Sequence, residues 1–473
     1  MSINSDPLPT RTKALYGFGS VAYGIKDNGF ATFLLFYYNQ VIGMRADLVS
    51  LAIALALIID AFVDPIIGQM TDRTRTKIGR RHPWLYISAI PICITWLLLW
   101  HPPEASETVQ FVYLLALAIL VRLSLSLNEV PALALLPELS TDYHDRTSIT
   151  RYRYLFGWAS GLLLMFFAYS FLLVPTDEYK DGLLNAEGYS TYAIIGAFVM
   201  AFAVLVAARG THKRIVTAYH AGGKLPETSE SLKEIFGTFR FRPFMLLMFA
   251  GLFAYTNQGI IFALSPYLLT HVWLFGQTEL AIYSATLFIA AILAFIIVNG
   301  VSQRFGKSRT ACYMVLASIV LGTGPYWLYL AGLFPATGSP VLLPLFLTFI
   351  ILGTACGICT LILTMSMMAD VTDAYEHEYG KRSEGVFASG VWLMQKSVGA
   401  LGLLMAGLII AIVQLPEKAS PGSVDPEIVT NMVWIYALLA VIIGSIGAWA
   451  YTLFPISEQD HSDMVSNKKS VEA

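Results

Sequence analysis

Charge is what this chain has least of. Lys, Arg, Asp and Glu make up 13% of its 473 residues and apolar residues 56%, where soluble domains carry about 25% charged residues. A water-exposed globule of this length could not cover its surface with so few charges. That excludes an ordinary soluble enzyme and points to a solvent that is itself apolar. Cysteine is almost as scarce: Cys93, Cys312, Cys356 and Cys359 all fall in apolar stretches. Cys356 and Cys359 have CxxC spacing, but no His or second Cys pair lies near enough to complete a zinc or redox site, so they read as small buried residues. No HExxH or GxSxG occurs, and none of the eight His sits deep in an apolar run beside a Ser or a carboxylate, which argues against a membrane-embedded hydrolase. A net charge of −2 offers nothing to a polyanion, so no nucleic-acid partner is expected. No signalling domain follows Phe454, which argues against a sensor. The polar opening and the length of the first apolar run speak against a cleavable signal peptide.

Long apolar runs take the place of charge. A helix needs about 20 mostly apolar residues to cross a bilayer, and twelve stretches qualify: 15–42, 48–70, 83–100, 109–136, 149–173, 189–207, 243–270, 280–301, 310–333, 341–369, 385–413 and 428–454. The expected organisation is a cytoplasmic segment 1–14, a six-helix bundle 15–207, a cytoplasmic loop 208–242, a second six-helix bundle 243–454 and a cytoplasmic tail 455–473. With the N-terminus inside, the loops outside hold only Arg45, Lys180 and Lys418, while the other loop Lys and Arg fall inside, as the positive-inside rule requires. Both termini are therefore expected in the cytoplasm. The halves echo each other faintly: Gly68 to Asp72-Arg73 and Gly79-Arg80-Arg81 follow the second span, and Gly300 to Arg304 and Gly306-Lys307 follow the eighth. Duplicated six-helix bundles rocking around a midplane site are a transporter architecture.

Ionisable residues inside such spans cost at least about 2.5–3.5 kcal/mol each and normally mark a water-filled cavity. Span 1 carries Lys26-Asp27. Neighbours in sequence point about 100° apart on a helix, so the two are not expected to hide by pairing face to face, and at least one should look into a cavity or meet another helix. Span 2 carries Asp60 and Asp64 on one face, one turn apart, followed by Pro65, which frees the carbonyl of Ala61. Two carboxylates that close must share a proton or bind a cation, and oxygen ligands suit a hard ion such as Na⁺. Span 4 adds Asn128-Glu129, span 5 opens with Arg151 and Arg153, and span 11 holds Lys396. Asp27, Asp60, Asp64 and Glu129 against Lys26, Arg153 and Lys396 make a nearly neutral network. Arg122 in span 4 is read as a structural tie. Tyr23, Tyr154, Trp158 and Trp392 are aromatic candidates for stacking on a sugar ring, with packing the blander alternative; Tyr255, Thr256, Asn257 and Gln258 are the polar offering of the second half.

In four ordered blocks the chain resembles the glycoside–pentoside–hexuronide:cation symporters, the melibiose permease family of the major facilitator superfamily. The blocks are Tyr16-Gly-Phe-Gly with Lys26-Asp27; Asp60-x3-Asp64-Pro65 running on to Asp72-Arg73-x-Arg75 and Gly79-Arg80-Arg81; Asn128 and Pro131 to Pro137-Glu138-Leu139-Ser140, Asp142 and Arg146-Thr147; and Asp370, Asp373, Gly380-Lys381-Arg382 and Glu384-Gly385, ending at Lys396. The resemblance implies an all-α integral membrane protein of twelve transmembrane helices in two pseudo-symmetric six-helix bundles. It implies no enzyme and no cofactor, but a monomeric inner-membrane symporter that moves a small carbohydrate with H⁺ or Na⁺ by alternating access. By resemblance, Asp60 and Asp64 hold the cation beside Ser126 and Glu129. Lys26, Asp27, Glu129, Arg153 and Lys396 surround the substrate, and Asp72, Arg73, Arg75, Arg80 and Arg81 form a cytoplasmic gate. Three departures stand out. Val63 replaces an asparagine before the second aspartate, one oxygen ligand fewer, which shifts the coupling ion toward H⁺. Ala132 replaces an aromatic after the span 4 proline, and Leu57 an arginine before the first aspartate. These apolar replacements keep a lysolipid-type carrier on the same fold as the alternative.

Overall fold

The computed structural model describes residues 8–140, 143–220, 240–379 and 384–456. Helices fill it, and among the described residues there is no strand. The chain starts with α1 (Thr10–Phe18) and α2 (Val21–Asn28), continued by π-helical turns Gly29–Phe33 and Tyr37–Ile42 around the short α3 (Leu34–Phe36). Span 1 is thus helical but broken at Gly19-Ser20, and it stops at Gly43, whose φ of +91° suits a residue without Cβ. Then come α4 (Ala46–Arg73), α5 (His82–Ile87), α6 (Ala89–Leu99), α7 (Glu107–Leu139), α8 (Tyr143–Phe167) and α9 (Ala186–His220). The second half has α10 (Arg242–Tyr267), α11 (Gln277–Phe305), α12 (Lys307–Leu330), α13 (Leu342–Tyr379), α14 (Glu384–Ile412) and α15 (Pro426–Thr452). Ten helices among the described residues are long and apolar enough to cross a membrane. Of the two remaining expected spans, one is the broken α1–α3 segment and the other is α14.

The chain divides into two compact units, 1–229 with 276–281 and 230–275 with 282–473. In unit 1 the segment α1–α2 packs on α8 and α9, α6 on α7 and α9, and α4 on α7. In unit 2 α10 packs on α14 and α15, and α12 on α13 and α15, which repeats the contacts of α1–α2 and of α6 six spans later. Close crossings set these pairs. A methyl group at Gly24 would run into the carbonyl oxygen of Gly157, and one at Gly402 would come within 2.5 Å of the Thr256 carbonyl oxygen. Without a hydrophobic driving force between helices, such close backbone approach is what holds them.

The pattern along α4 explains how it carries acids into the interior. Val49, Ile53, Ala56, Asp60 and Ile67 are buried at helical spacing, while Ile58, Ile59, Phe62 and Ile66 point outward. The outward stripe suits lipid, and the buried stripe brings Asp60 against α7.

Candidate functional site

Asp60 is 4% exposed and Ser126 2%. Ser126 Oγ lies 3.0 Å from Asp60 Oδ1 and 2.6 Å from Asp64 Oδ1, so α7 ties both acids of α4. One hydroxyl carries one hydrogen and can donate to only one carboxylate. The second contact calls for a proton on a carboxyl or a shared hydrogen, and the crowding of the two acids for a nearby positive charge. Arg122, one turn before Ser126 on α7, supplies such a charge: its Nη1 donates to Asp60 Oδ2 at 3.1 Å, and its guanidinium stands 4.8 Å over the Phe30 ring. The structural tie expected of Arg122 is an ion pair inside the acid site. Sequence reasoning put Arg122 apart from the acids. A guanidinium one turn from a candidate ligand on the same helix was the available signal.

The substrate candidates gather between α1, α2, α7 and α8. Arg153 Nη1 donates to Tyr16 Oη at 3.1 Å and lies over the rings of Tyr16 and Tyr23, 5.7 Å from each. Tyr16 donates to the Ala132 carbonyl at 2.5 Å and Tyr23 to Asn128 Oδ1 at 2.7 Å, with Asn128 Nδ2 reaching Ser88 Oγ at 2.9 Å. A small cavity is lined by Tyr16, Ser20, Tyr23, Asn128, Arg153 and Thr211. Glu129, half-buried, acts electrostatically on both Arg153 and Tyr23. The structure therefore groups Asp60, Asp64 and Ser126 as one set, and Glu129 and Arg153 with Tyr16 and Tyr23 as another. Lys26 is buried and its Nζ meets Asp27 Oδ1 at 2.5 Å, while the Asp27 side chain is 66% exposed. The two do not both hide: the lysine's four-carbon stem bends across the angle to reach Asp27, and it is Asp27 that stays outside the packed interior. Asp27 remains open, as a group facing a cavity would be. Tyr154 and Trp158 are exposed. Lys396 and Trp392 lie on α14, and their side chains fall outside the described residues.

The loop after α4 holds a second charged cluster. Gly79, at φ +93°, turns the chain so that Arg80 and Arg81 reach back. Arg81 Nη2 meets Asp72 Oδ1 at 3.2 Å and its Nε donates to Glu138 Oε1 at 2.7 Å; Arg80 Nη2 reaches the same oxygen at 2.8 Å. Burial pushes the Arg81 guanidinium below its ordinary value and Glu138 opposes that push. Asp72, Arg80 and Arg81 thus come together around a Glu138 to which the sequence motif gave no role. Arg73 and Arg75 are exposed and form no ion pair among the described residues. Unit 2 repeats the device: Gly306, at φ +78°, precedes Lys307, whose Nζ bonds both oxygens of Asp370 at 2.6 and 2.8 Å.

A family model described as MFS/sugar transport protein matches residues 15–458. The chain belongs to that family. It is 24% identical to an isoprimeverose transporter of Lactiplantibacillus pentosus, over 92% of this chain and 87% of that one. It is 24% identical to the inner membrane symporter YicJ of Escherichia coli strain K12, over 86% and 83%. Among solved structures it is similar in fold to a D-xylose-proton symporter, with a TM-score of 0.60 at 14% identity, covering 94% of this chain and 98% of that one. As a member of the MFS family the protein is a multi-pass secondary transporter for small molecules and not an enzyme. A charged loop cluster occurs once in each unit, and buried Asp60 and half-buried Asp64 of α4 stand in unit 1.

Proposed function

We propose that the protein is a symporter that couples uptake of a glycoside or related carbohydrate to H⁺ or Na⁺. The observation that carries this reading is the acid pair of buried Asp60 and half-buried Asp64, tied through Ser126 to α7 one helical turn from Glu129 on the same helix. A coupling ion at the pair would change the charge beside Glu129, and Glu129 in turn acts on Arg153. That gives a physical route from ion to sugar: carboxylate and guanidinium accept from and donate to hydroxyls, and Tyr16 and Tyr23 offer ring faces. An empty pair of carboxylates, one of them buried, is costly to carry through alternating access, and a loaded pair is less so. The names of the isoprimeverose transporter and of the inner membrane symporter support a sugar cargo, symport and an inner-membrane location. The distribution of Lys and Arg supports cytoplasmic termini, and the carrier is taken to work as a monomer without a cofactor.

Reconstitution into proteoliposomes tests the proposal. A labelled glycoside panel should accumulate under a pH gradient or a Na⁺ gradient imposed separately. Asp60→Asn and Asp64→Asn should each abolish uphill uptake, a loss of at least about a hundredfold given the few kcal/mol at stake in a buried charge. Full concentrative transport by both variants would defeat the assignment. Accumulation of a lysolipid and of no glycoside would turn it toward an amphiphile carrier, in keeping with the apolar Leu57, Val63 and Ala132.

A further inference from the structure

We propose that Arg122 is a resident cation of the acid pair and bars Na⁺ from it. The proposal rests on reading Asp60 and Asp64 as the cation site, and it deepens that reading by assigning the residue that sets ion selectivity. The geometry is a matched pair of pairs. Asp60 and Asp64 stand one turn apart on α4, and Arg122 and Ser126 stand one turn apart on the facing α7. Both oxygens of Asp60 are engaged by α7, Oδ1 by Ser126 at 3.0 Å and Oδ2 by Arg122 at 3.1 Å.

Arg122 is itself 5% exposed and is seated against Phe30 of the first span at 4.8 Å. Three helical segments therefore fix its guanidinium, and it is not a side chain that swings in from solvent. A guanidinium carries donors only. It cannot serve as a ligand to a metal ion, and it repels one placed on the same carboxylate. An alkali ion needs several converging oxygens. Here Asp60 Oδ2 is already committed to Arg122, and Val63, one residue before Asp64, offers a hydrocarbon side chain. Removing the guanidinium would take a positive charge from the buried Asp60 and the half-buried Asp64 and free Asp60 Oδ2 as a ligand, the condition under which a small cation becomes a better partner.

The test uses the full-length protein purified in detergent, with NaCl titrated against choline chloride at constant ionic strength. Binding heat and melting temperature are the readouts. The wild type should show no saturable Na⁺ heat and the same melting temperature in both salts. Arg122→Leu should gain saturable Na⁺ binding at least about tenfold tighter than any wild-type response, from the loss of a like charge a few ångströms away. Adding Asp60→Asn to that variant should remove the gain, and Arg122→Lys should stay blind to Na⁺. Should Arg122→Leu fail to give a cooperative melt, Arg122→Gln takes its place. Saturable Na⁺ binding by the wild type that Asp60→Asn abolishes would overturn the proposal, and so would a folded Arg122→Leu or Arg122→Gln that ignores Na⁺. None of these readouts needs a glycoside. Failure of every glycoside to accumulate would therefore strike the symport reading alone, whereas Na⁺-driven glycoside uptake by the wild type would leave symport standing and sink the role of Arg122.

Discussion

The two units share a frame and differ in what they bury. In each, a glycine in the left-handed region turns the chain into the third span of the half, and a basic residue there meets an acid at the end of the fourth: Arg81 with Glu138 in unit 1, Lys307 with Asp370 in unit 2. Midway along the helices they part. Unit 1 places Asp60, Asp64, Arg122 and Arg153 in its interior helices, whereas the described mid-helix polar contacts of unit 2 are neutral, as in the 2.6 Å bond between Thr364 and Tyr451. Hydroxyls satisfy one another or their own helix at little cost. Buried ions lose hydration that their pairing only partly returns, so the interior charge described in unit 1 marks chemistry and not architecture.

The shared end clamps offer the sharpest way to test that contrast. Glu138 is 2% exposed and holds two arginines, one of them fully buried. Glu138→Gln should cost up to about 3–5 kcal/mol, because it takes away the carboxylate that two arginines share and leaves the buried Arg81 guanidinium leaning on Asp72, and thermal melting in detergent should show the drop. The Lys307 side chain is 38% exposed, so water can take over when its partner goes. Asp370→Asn should cost no more than about 1 kcal/mol. Equal losses in the two variants would mean that the repeat carries equal weight in both units.

A middle-sized difference is expected at the helix crossings. Gly24 leaves no room for a Cβ against Gly157, whereas a Cβ at Gly259 would sit 3.1 Å from Gly402 Cα. Gly24→Ala should therefore destabilise by about 1–3 kcal/mol through overpacking, and Gly259→Ala by less. Melting temperatures of the two variants check the order, and a reversed order would show that α2 and α8 separate more readily than α10 and α14.

Much of this frame is legible in the sequence because hydropathy, punctuated by charged loops, dictates spans directly. Asp60 and Asp64 are legible for the same reason inverted: an acid in an apolar run is costly, and spacing alone puts both on one face. The partnership of Arg122 was only hinted at, by its one-turn spacing from Ser126. It depends on the register between α4 and α7, fixed by packing along whole helices and not by residues near Arg122. That Lys26 and Asp27 could not both hide was legible, but not which of them stays open, because directions of Cα–Cβ bonds say little about the tip of a four-carbon stem. Glu138 sat in a quoted motif without a role, since only the returning loop with its left-handed Gly79 reveals what it faces. Arg73 and Arg75 follow the same motif yet stay exposed, because the turn that brings Arg80 and Arg81 inward begins after them.

The smallest expected effect lies in a feature of unit 1 that holds down the chain's first described residues. Asp145 accepts from Lys13 Nζ at 2.5 Å, from the Leu8 backbone N–H at 2.7 Å and from Ser140 Oγ at 3.3 Å, and Leu8 is buried beside it. The hydrogen bond from Lys13, helped by the Leu8 amide, holds the Asp145 carboxyl below its usual range. The sign follows from that depression. The folded state binds the proton less readily than the unfolded chain, so the latch contributes fully above the ordinary carboxylate value of about 3.9 and fades as pH falls below it. Hydrogen exchange at residues 8–18 should thus be slow and flat with pH, after correction for intrinsic rates, from neutral down to about pH 5. Protection should then be lost on further acidification, while the core of unit 1 stays protected. Asp145→Asn should show the acid-like exchange already at neutral pH. If that variant keeps wild-type protection, Leu8 packing alone holds the segment and the charge on Asp145 is incidental.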